Sequence, residues 1–243
     1  MESSRKSCTV YIVGSGPGNK GLLTVMGYKV LKKAEVLIYD YLIPNEIIDI
    51  ALPSCIKIPH QKGETVDQRQ KKFEEAVLNY CETKKVIVRL QIGDPFLFGR
   101  GDEEIKFLRK NRIKFRVIPG ITSAIGVPTY AGLPVTSRGV SSSVTIINGH
   151  PLKEGEINWE ALKNVGGTIV IMMGISNSEK ISSELIKNGF DPATPVCVIS
   201  NGTTQYQRVV ITDLINMPYE IKKNKISSPG VIIVGKVVQE FMT

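Results

Sequence analysis

Val86-Ile87-Val88-Arg89-Leu90 runs directly into Gln91-Ile92-Gly93-Asp94-Pro95-Phe96-Leu97-Phe98-Gly99-Arg100-Gly101-Asp102-Glu103-Glu104. The first run is short, apolar and β-branched, the mark of a buried strand, and Ile105 and Leu108 then recur at helical spacing. The stretch between them is therefore a loop at the carboxyl end of a strand, where open α/β sheets bind ligands. Gly93, Gly99 and Gly101 permit positive φ and close backbone approach, Pro95 stiffens the turn, and Phe96 and Phe98 supply apolar walls. The same residue types also build ordinary surface turns, so the rest of the chain decides.

Upstream the pattern repeats. Val10-Tyr11-Ile12-Val13 ends in Gly14-Ser15-Gly16-Pro17-Gly18-Asn19, after which Leu22, Leu23, Met26, Val30 and Leu31 mark a helix. A dinucleotide reading of these glycines fails on two residues: Asn19 stands where the third glycine belongs, and Pro17 removes a backbone donor from the phosphate loop. Val36-Leu37-Ile38-Tyr39 is a second strand, closed by Asp40. A carboxylate there suits a general base, and a turn or N-cap aspartate is the plainer alternative. A helical stretch from Pro44 to Ala51 and a brief Ile56-Lys57-Ile58 strand lead to the polar loop His60-Gln61-Lys62-Gly63.

Downstream, Phe115-Arg116-Val117-Ile118 is a further strand and Pro119-Gly120-Ile121-Thr122-Ser123-Ala124 a further tight turn into a helix. Alternating strand and helix predicts a mainly parallel sheet. The helix breakers from Gly132 to Gly139 read as a linker around 135–138, separating an α/β domain over 1–134 from a second over 139–243. In that second half, runs at 144–147, 168–172, 196–199, 208–211 and 231–234 are strand candidates with fewer helices between them, which predicts a mixed sheet.

With 243 residues, 42% of them hydrophobic, the chain can bury a substantial core. The net charge of +8 favours an acidic partner: nucleic acid, anionic lipid or a small polyanion. The lysines come in dispersed pairs without a basic block, which weakens the nucleic-acid reading. Cys8, Cys55, Cys81 and Cys197 are far apart and flanked by apolar sequence, so we expect buried thiols in a reducing compartment and no disulfide. His60 and His150 belong to no ligand cluster, and no metal is implied. Met1 to Ser7 is polar, and the apolar run after it stops at Val13; neither a signal peptide nor a membrane span is indicated, and a cytoplasmic protein is expected.

Taken together, Val13 to Gly18, Tyr39-Asp40, Arg89 to Glu104, Pro119 to Ala124, Ala131 to Thr136, Ser143 to His150, Met173-Gly174 and Asn201-Gly202-Thr203 resemble the tetrapyrrole methylases. The run from Gly93 to Glu104 resembles most closely the branch that C-methylates uroporphyrinogen III with S-adenosylmethionine. The resemblance implies two α/β domains with a site in the cleft between them, in a homodimer. It also implies methylation of two ring carbons, giving precorrin-2 by way of precorrin-1 and releasing S-adenosylhomocysteine, on the route to sirohaem or cobalamin. By matching motifs, Pro17, Ile92, Gly93, Asp94, Leu97, Thr122, Ser123, Met173 and Gly202 are expected to hold the cofactor. Asp40 is expected to handle the proton, and Arg100, Glu103 and Arg138 to face a polycarboxylate tetrapyrrole.

Three departures stand out. Ile92 replaces the first glycine of a Gly-Gly-Asp, Tyr41 stands where many relatives have arginine, and the family's proton donor corresponds either to His60 or to Lys62. The chain also ends where the methylase does, so we expect no sirohaem synthesis by this chain alone. Two other readings fit the residues less closely: another precorrin or diphthamide methylase of the same fold, and a non-catalytic basic nucleotide- or RNA-binding module.

Overall fold

A computed structural model of the chain describes residues 8–150 and 155–242. Two compact units, Met1–Thr122 and Ser123–Thr243, make up the chain.

In the first unit the apolar runs become β1 (Thr9–Gly14), β2 (Val36–Tyr39), β3 (Ile56–Pro59), β4 (Val86–Gln91) and β5 (Lys114–Ile118), in the order β3-β2-β4-β1-β5. Every pairing is parallel, as the alternation with helices requires. The intervening helices are α1 (Val25–Leu31), α2 (Asn45–Ile48), α3 (Val66–Tyr80) and α4 (Gly101–Lys110). Successive side chains of a strand point to opposite faces. Thus Ile87 joins Ile12, Ile38, Phe73, Ile105 and Leu108 on the α3/α4 side, while Val88 and Leu90 join Val13, Leu31, Leu37 and Ile47 on the other. Burying a side chain such as Phe73 contributes about 1.5–3 kcal/mol. Thr65 and Gln68 form a reciprocal capping box that fixes where α3 starts.

The register levels the strand ends. Gly14 pairs with Gln91, Val13 with Ile118, and Tyr39 with both Leu90 and Pro59. Consequently the residues that follow, Asp40, His60, Gly93 and Gly120, emerge at one edge of the sheet.

One expectation is corrected here. Cys8 and Cys81 are joined by a disulfide, with Cα atoms 5.0 Å apart, while Cys55 and Cys197 are free and buried. α3 runs back against the strands, so its carboxyl end returns to the start of β1. Sequence spacing does not reveal that return.

The second unit holds α5 (Ser123–Tyr130), β6 (Val144–Asn148), α6 (Trp159–Val165), β7 (Thr168–Met172), α7 (Ser178–Lys187), β8 (Pro195–Ser200), β9 (Arg208–Asp213), α8 (Met217–Lys223), β10 (Gly230–Val234) and α9 (Val237–Met242). The sheet order is β6-β7-β10-β8-β9. β6 and β7 are parallel and the other pairs antiparallel, the mixed sheet expected. α5 packs against β7 and β10, which is why the unit begins at Ser123. No helix among the described residues is long and apolar enough to cross a membrane.

Candidate active site

Three loops interlock at the carboxyl edge of the first sheet. A Cβ on Gly14 would lie 2.5 Å from the Gly93 carbonyl oxygen, and one on Gly120 would lie 2.1 Å from the same atom. Only glycine tolerates this approach, so three backbones meet with no side chain between them. Gly16 and Gly93 exchange hydrogen bonds: Gly16 N–H donates to the Gly93 carbonyl at 3.2 Å, and Gly93 N–H to the Gly16 carbonyl at 2.8 Å. Asp94 fastens the assembly, since its Oδ2 accepts from Gly120 N–H at 3.0 Å and its Oδ1 from Phe96 N–H at 2.9 Å.

Within the β4–α4 loop, Gly101 N–H donates to the Pro95 carbonyl at 3.0 Å, and a Cβ on Gly99 would stand 2.6 Å from that oxygen. Phe98 and Arg100 adopt left-handed φ values of 58° and 61°. Such conformations cost on the order of 1–3 kcal/mol for residues other than glycine and cluster at functional sites. Both Phe96 and Phe98 are exposed on this loop.

Beneath the same edge lies a buried charged group. Arg89 Nη2 donates to Asp40 Oδ1 at 2.7 Å, its Nε to Glu104 Oε1 at 2.7 Å, and its Nη1 to the Leu90 carbonyl at 2.8 Å. Asp40 Oδ2 also accepts from Ile92 N–H at 3.1 Å. The Asp40 side chain retains 20% exposure, whereas Arg89 and Glu104 retain 6% each. Burial pushes the Asp40 carboxyl up, but the Arg89 charge and the hydrogen bonds override it and hold Asp40 well below the usual carboxylate range. At Glu104 burial wins over the pull of Arg89 and the carboxyl is raised. His60 Nδ1 is 3.5 Å from Asp40 Oδ1, and burial lowers the imidazole, against the upward pull of Asp40, so it favours the neutral form.

The expected site residues of the first unit lie around one sheet edge. Pro17, Ile92, Gly93, Asp94, Leu97 and Thr122 lie in the interlocked loops, and His60 lies beside Asp40. Lys62 is exposed two residues farther along the loop. Arg100 and Glu103 sit at the start of α4, where Arg100 Nε donates to Glu103 Oε1 at 2.8 Å. In the second unit Ser123 opens α5, Met173 is exposed with φ 57°, and Arg138 is exposed in the turn closed by Ser137 and Ser141. Gly202 is buried, and a Cβ there would stand 2.3 Å from Val127 Cγ1.

Arg89 and Glu104 are the charged residues that sequence reasoning passed over. An arginine inside an apolar strand is itself a signal, because a buried guanidinium demands partners. Glu104 shares the inward spacing of Gly101, Ile105 and Leu108 on α4, which separates it from its neighbour Glu103.

A family model described as tetrapyrrole (corrin/porphyrin) methylases matches residues 9–218. The chain is a tetrapyrrole methylase. Over 233 residues this methylase is 43% identical to an S-adenosyl-L-methionine-dependent uroporphyrinogen III methyltransferase of Methanosarcina barkeri, covering 94% of the chain and 91% of that protein. With the uroporphyrinogen-III C-methyltransferase of Bacillus subtilis it shares 40% identity over 236 residues, covering 94% and 90%. The crystal structure of the uroporphyrin-III C-methyl transferase of Thermus thermophilus complexed with S-adenyl homocysteine matches at a TM-score of 0.81 and 30% identity, covering 96% of this chain and 94% of that one. The resemblance to the tetrapyrrole methylases carried by the motifs from Val13 to Thr203 is borne out.

Proposed function

We propose that this tetrapyrrole methylase transfers methyl groups from S-adenosylmethionine to two ring carbons of uroporphyrinogen III, giving precorrin-2 by way of precorrin-1. The observation that carries this reading is an aspartate, Asp40, held ionised and partly exposed at the same sheet edge as the side-chain-free surface of Gly14, Gly93 and Gly120.

The chemistry asks little covalent work of the protein. S-adenosylmethionine supplies a methyl group already activated on sulfur, and the electron-rich pyrrole carbon is the nucleophile. Alignment of the two supplies up to about 7–11 kcal/mol of barrier lowering. In this reading Pro17, Ile92, Gly93, Asp94, Leu97, Thr122, Ser123, Met173 and Gly202 hold the cofactor. The hydrogen bond that Asp94 accepts from Gly120 keeps the β4–α4 and β5–α5 loops in register for that task.

Methylation leaves a cationic ring. A carboxylate kept as acidic as Asp40 is a weak base, so its principal contribution is to stabilise that cation from a fixed position in a poorly solvated setting. The proton that the cationic macrocycle must then lose goes to Asp40 only in passing, with neutral His60 beside it as the next acceptor. Arg100, Glu103 and Arg138 face the substrate, and the two arginines take its carboxylates. Guanidinium binds a carboxylate through two parallel hydrogen bonds, and Glu103 orients Arg100 through its Nε. We further propose a cytoplasmic homodimer that does not bind nucleic acid.

Incubation of the protein with uroporphyrinogen III and methyl-labelled S-adenosylmethionine, followed by mass analysis, tests the assignment. Two labelled methyl groups on the tetrapyrrole are expected. Label that enters only a later corrin intermediate, or no substrate at all, would overturn it.

A further inference from the structure

On α4 two neighbouring carboxylates meet opposite fates. Glu103 turns outward with 37% of its side chain exposed and pairs with Arg100, while Glu104 turns inward beside Ile105 and Leu108 with 6% exposed. An inward position flanked by apolar residues would be filled more cheaply by another apolar side chain, because a buried carboxylate pays a desolvation penalty that its ion pair often fails to repay. Stability alone therefore does not account for Glu104.

Its hydrogen bond with Arg89 explains it better. Arg89 is anchored at three places: Nη1 on the Leu90 carbonyl, Nη2 on Asp40 Oδ1 and Nε on Glu104 Oε1. The first belongs to the next residue of the same strand and leaves the plane of the guanidinium free to rock. The bond to Glu104, from a different element, fixes that plane and with it the direction in which Nη2 meets Asp40. We propose that Glu104 is a positioning residue for Asp40: by holding Arg89 Nε it sets the guanidinium that fixes the Asp40 carboxylate, and it ties that carboxylate to the first turn of the helix that carries Arg100 and Glu103. The inference rests on the reading of Asp40 as the carboxylate that serves methyl transfer. Burial raises Glu104 despite Arg89, while Asp40 is depressed because it has, besides Arg89, the Ile92 N–H and the nearby His60.

The test compares Glu104→Ala, Glu104→Gln, Glu104→Asp, Asp40→Asn and the double variant Glu104→Ala/Asp40→Asn. Methyl transfer to uroporphyrinogen III is followed together with S-adenosylhomocysteine affinity by calorimetry and thermal melting. Glu104→Ala is expected to lower kcat about 100-fold, the scale of a small misplacement of a reacting group, with KM and S-adenosylhomocysteine affinity unchanged. Glu104→Gln, whose amide oxygen still accepts from Arg89, should recover most of the rate, and Glu104→Asp, one methylene shorter, should not. Because both residues act through one carboxylate, the double variant should be no slower than Asp40→Asn alone. Wild-type kcat in Glu104→Ala with only a lower melting temperature would overturn the proposal, as would losses that multiply in the double variant. Should the alanine variant not fold, wild-type kcat in both Glu104→Asp and Glu104→Gln overturns it equally. Full turnover in Asp40→Asn contradicts the parent reading instead, and a slow Asp40→Asn beside a fast Glu104→Ala contradicts the role of Glu104 alone.

Discussion

The carbonyl oxygen of Gly93 occupies the space that a side chain on Gly120 would fill, 2.1 Å from an ideal Cβ. The contact joins the loop after β4 to the loop after β5, and the same Gly120 donates its N–H to Asp94. Gly120→Ala must therefore push two backbones apart. We expect it to destabilise the protein by about 1–3 kcal/mol, the usual cost of overpacking, and to weaken S-adenosylhomocysteine binding. Urea denaturation and calorimetry on the same variant check both effects.

The disulfide between Cys8 and Cys81 closes a long loop, with a sequence separation of 73. A native crosslink typically contributes about 2–4 kcal/mol. Reductant should lower the melting temperature of the wild type, and the double variant Cys8→Ala/Cys81→Ala should melt at one temperature whether or not reductant is present. Equal melting of the wild type in both conditions would show that the crosslink contributes nothing.

The depressed Asp40 carboxyl makes a pH prediction whose sign follows from linkage. Unfolded, an aspartate titrates near about 3.9, while in the fold Asp40 stays ionised well below that value. Its contribution to stability is therefore fully present above the unfolded pKa and is lost as pH falls toward the folded one. Glu104, raised by burial, acts oppositely: its share is present at low pH and declines as pH rises through and beyond about 4.3. Chemical denaturation between pH 6 and pH 2 should show Asp40→Asn losing less stability than the wild type over the acid limb, and Glu104→Gln losing more.

Much of this architecture is legible in the residues. The run Val10 to Val13 ending in glycines predicts the strand that becomes β1, and Asp40 could be placed at a strand end because the apolar run stops at Tyr39. His60 follows the same alternation as Ile56 and Ile58, so its inward turn is open to strand periodicity, whereas Lys62 lies beyond the end of β3 in a turn where that alternation no longer holds. What linear reading missed depends on partners distant along the chain. Arg89 lies 49 residues from Asp40 and 15 from Glu104, and neither separation marks the pairing until the strand order brings β2 beside β4 and α4 over them. Cys8 and Cys81 are hidden for the same reason. The close approach at Gly120 also needs the order β4-β1-β5, which no local pattern encodes.

Arg100 provides a test of substrate recognition. It stands at the start of α4 with half of its side chain exposed, held by Glu103. Arg100→Ala should weaken uroporphyrinogen III about 10- to 150-fold, the worth of a charge-assisted hydrogen bond, with little change for S-adenosylmethionine. Arg100→Lys should rescue only part of this, because an ammonium cannot reproduce the paired geometry. Lys71, exposed on α3 and paired with Glu75, is the control, and its replacement by alanine should alter only steering that salt screens. Similar losses in the Arg100 and Lys71 variants would refute the assignment.

The central claim is that Asp40, fixed as an anion by Arg89 and Ile92, serves methyl transfer at the sheet edge. Turnover of Asp40→Asn with uroporphyrinogen III and labelled S-adenosylmethionine, measured beside its affinity for S-adenosylhomocysteine, tests it most directly. The account predicts a loss of about two orders of magnitude in turnover with cofactor affinity preserved. Unchanged turnover, with no more than a lower melting temperature, would contradict it and leave Asp40 as a structural partner of Arg89.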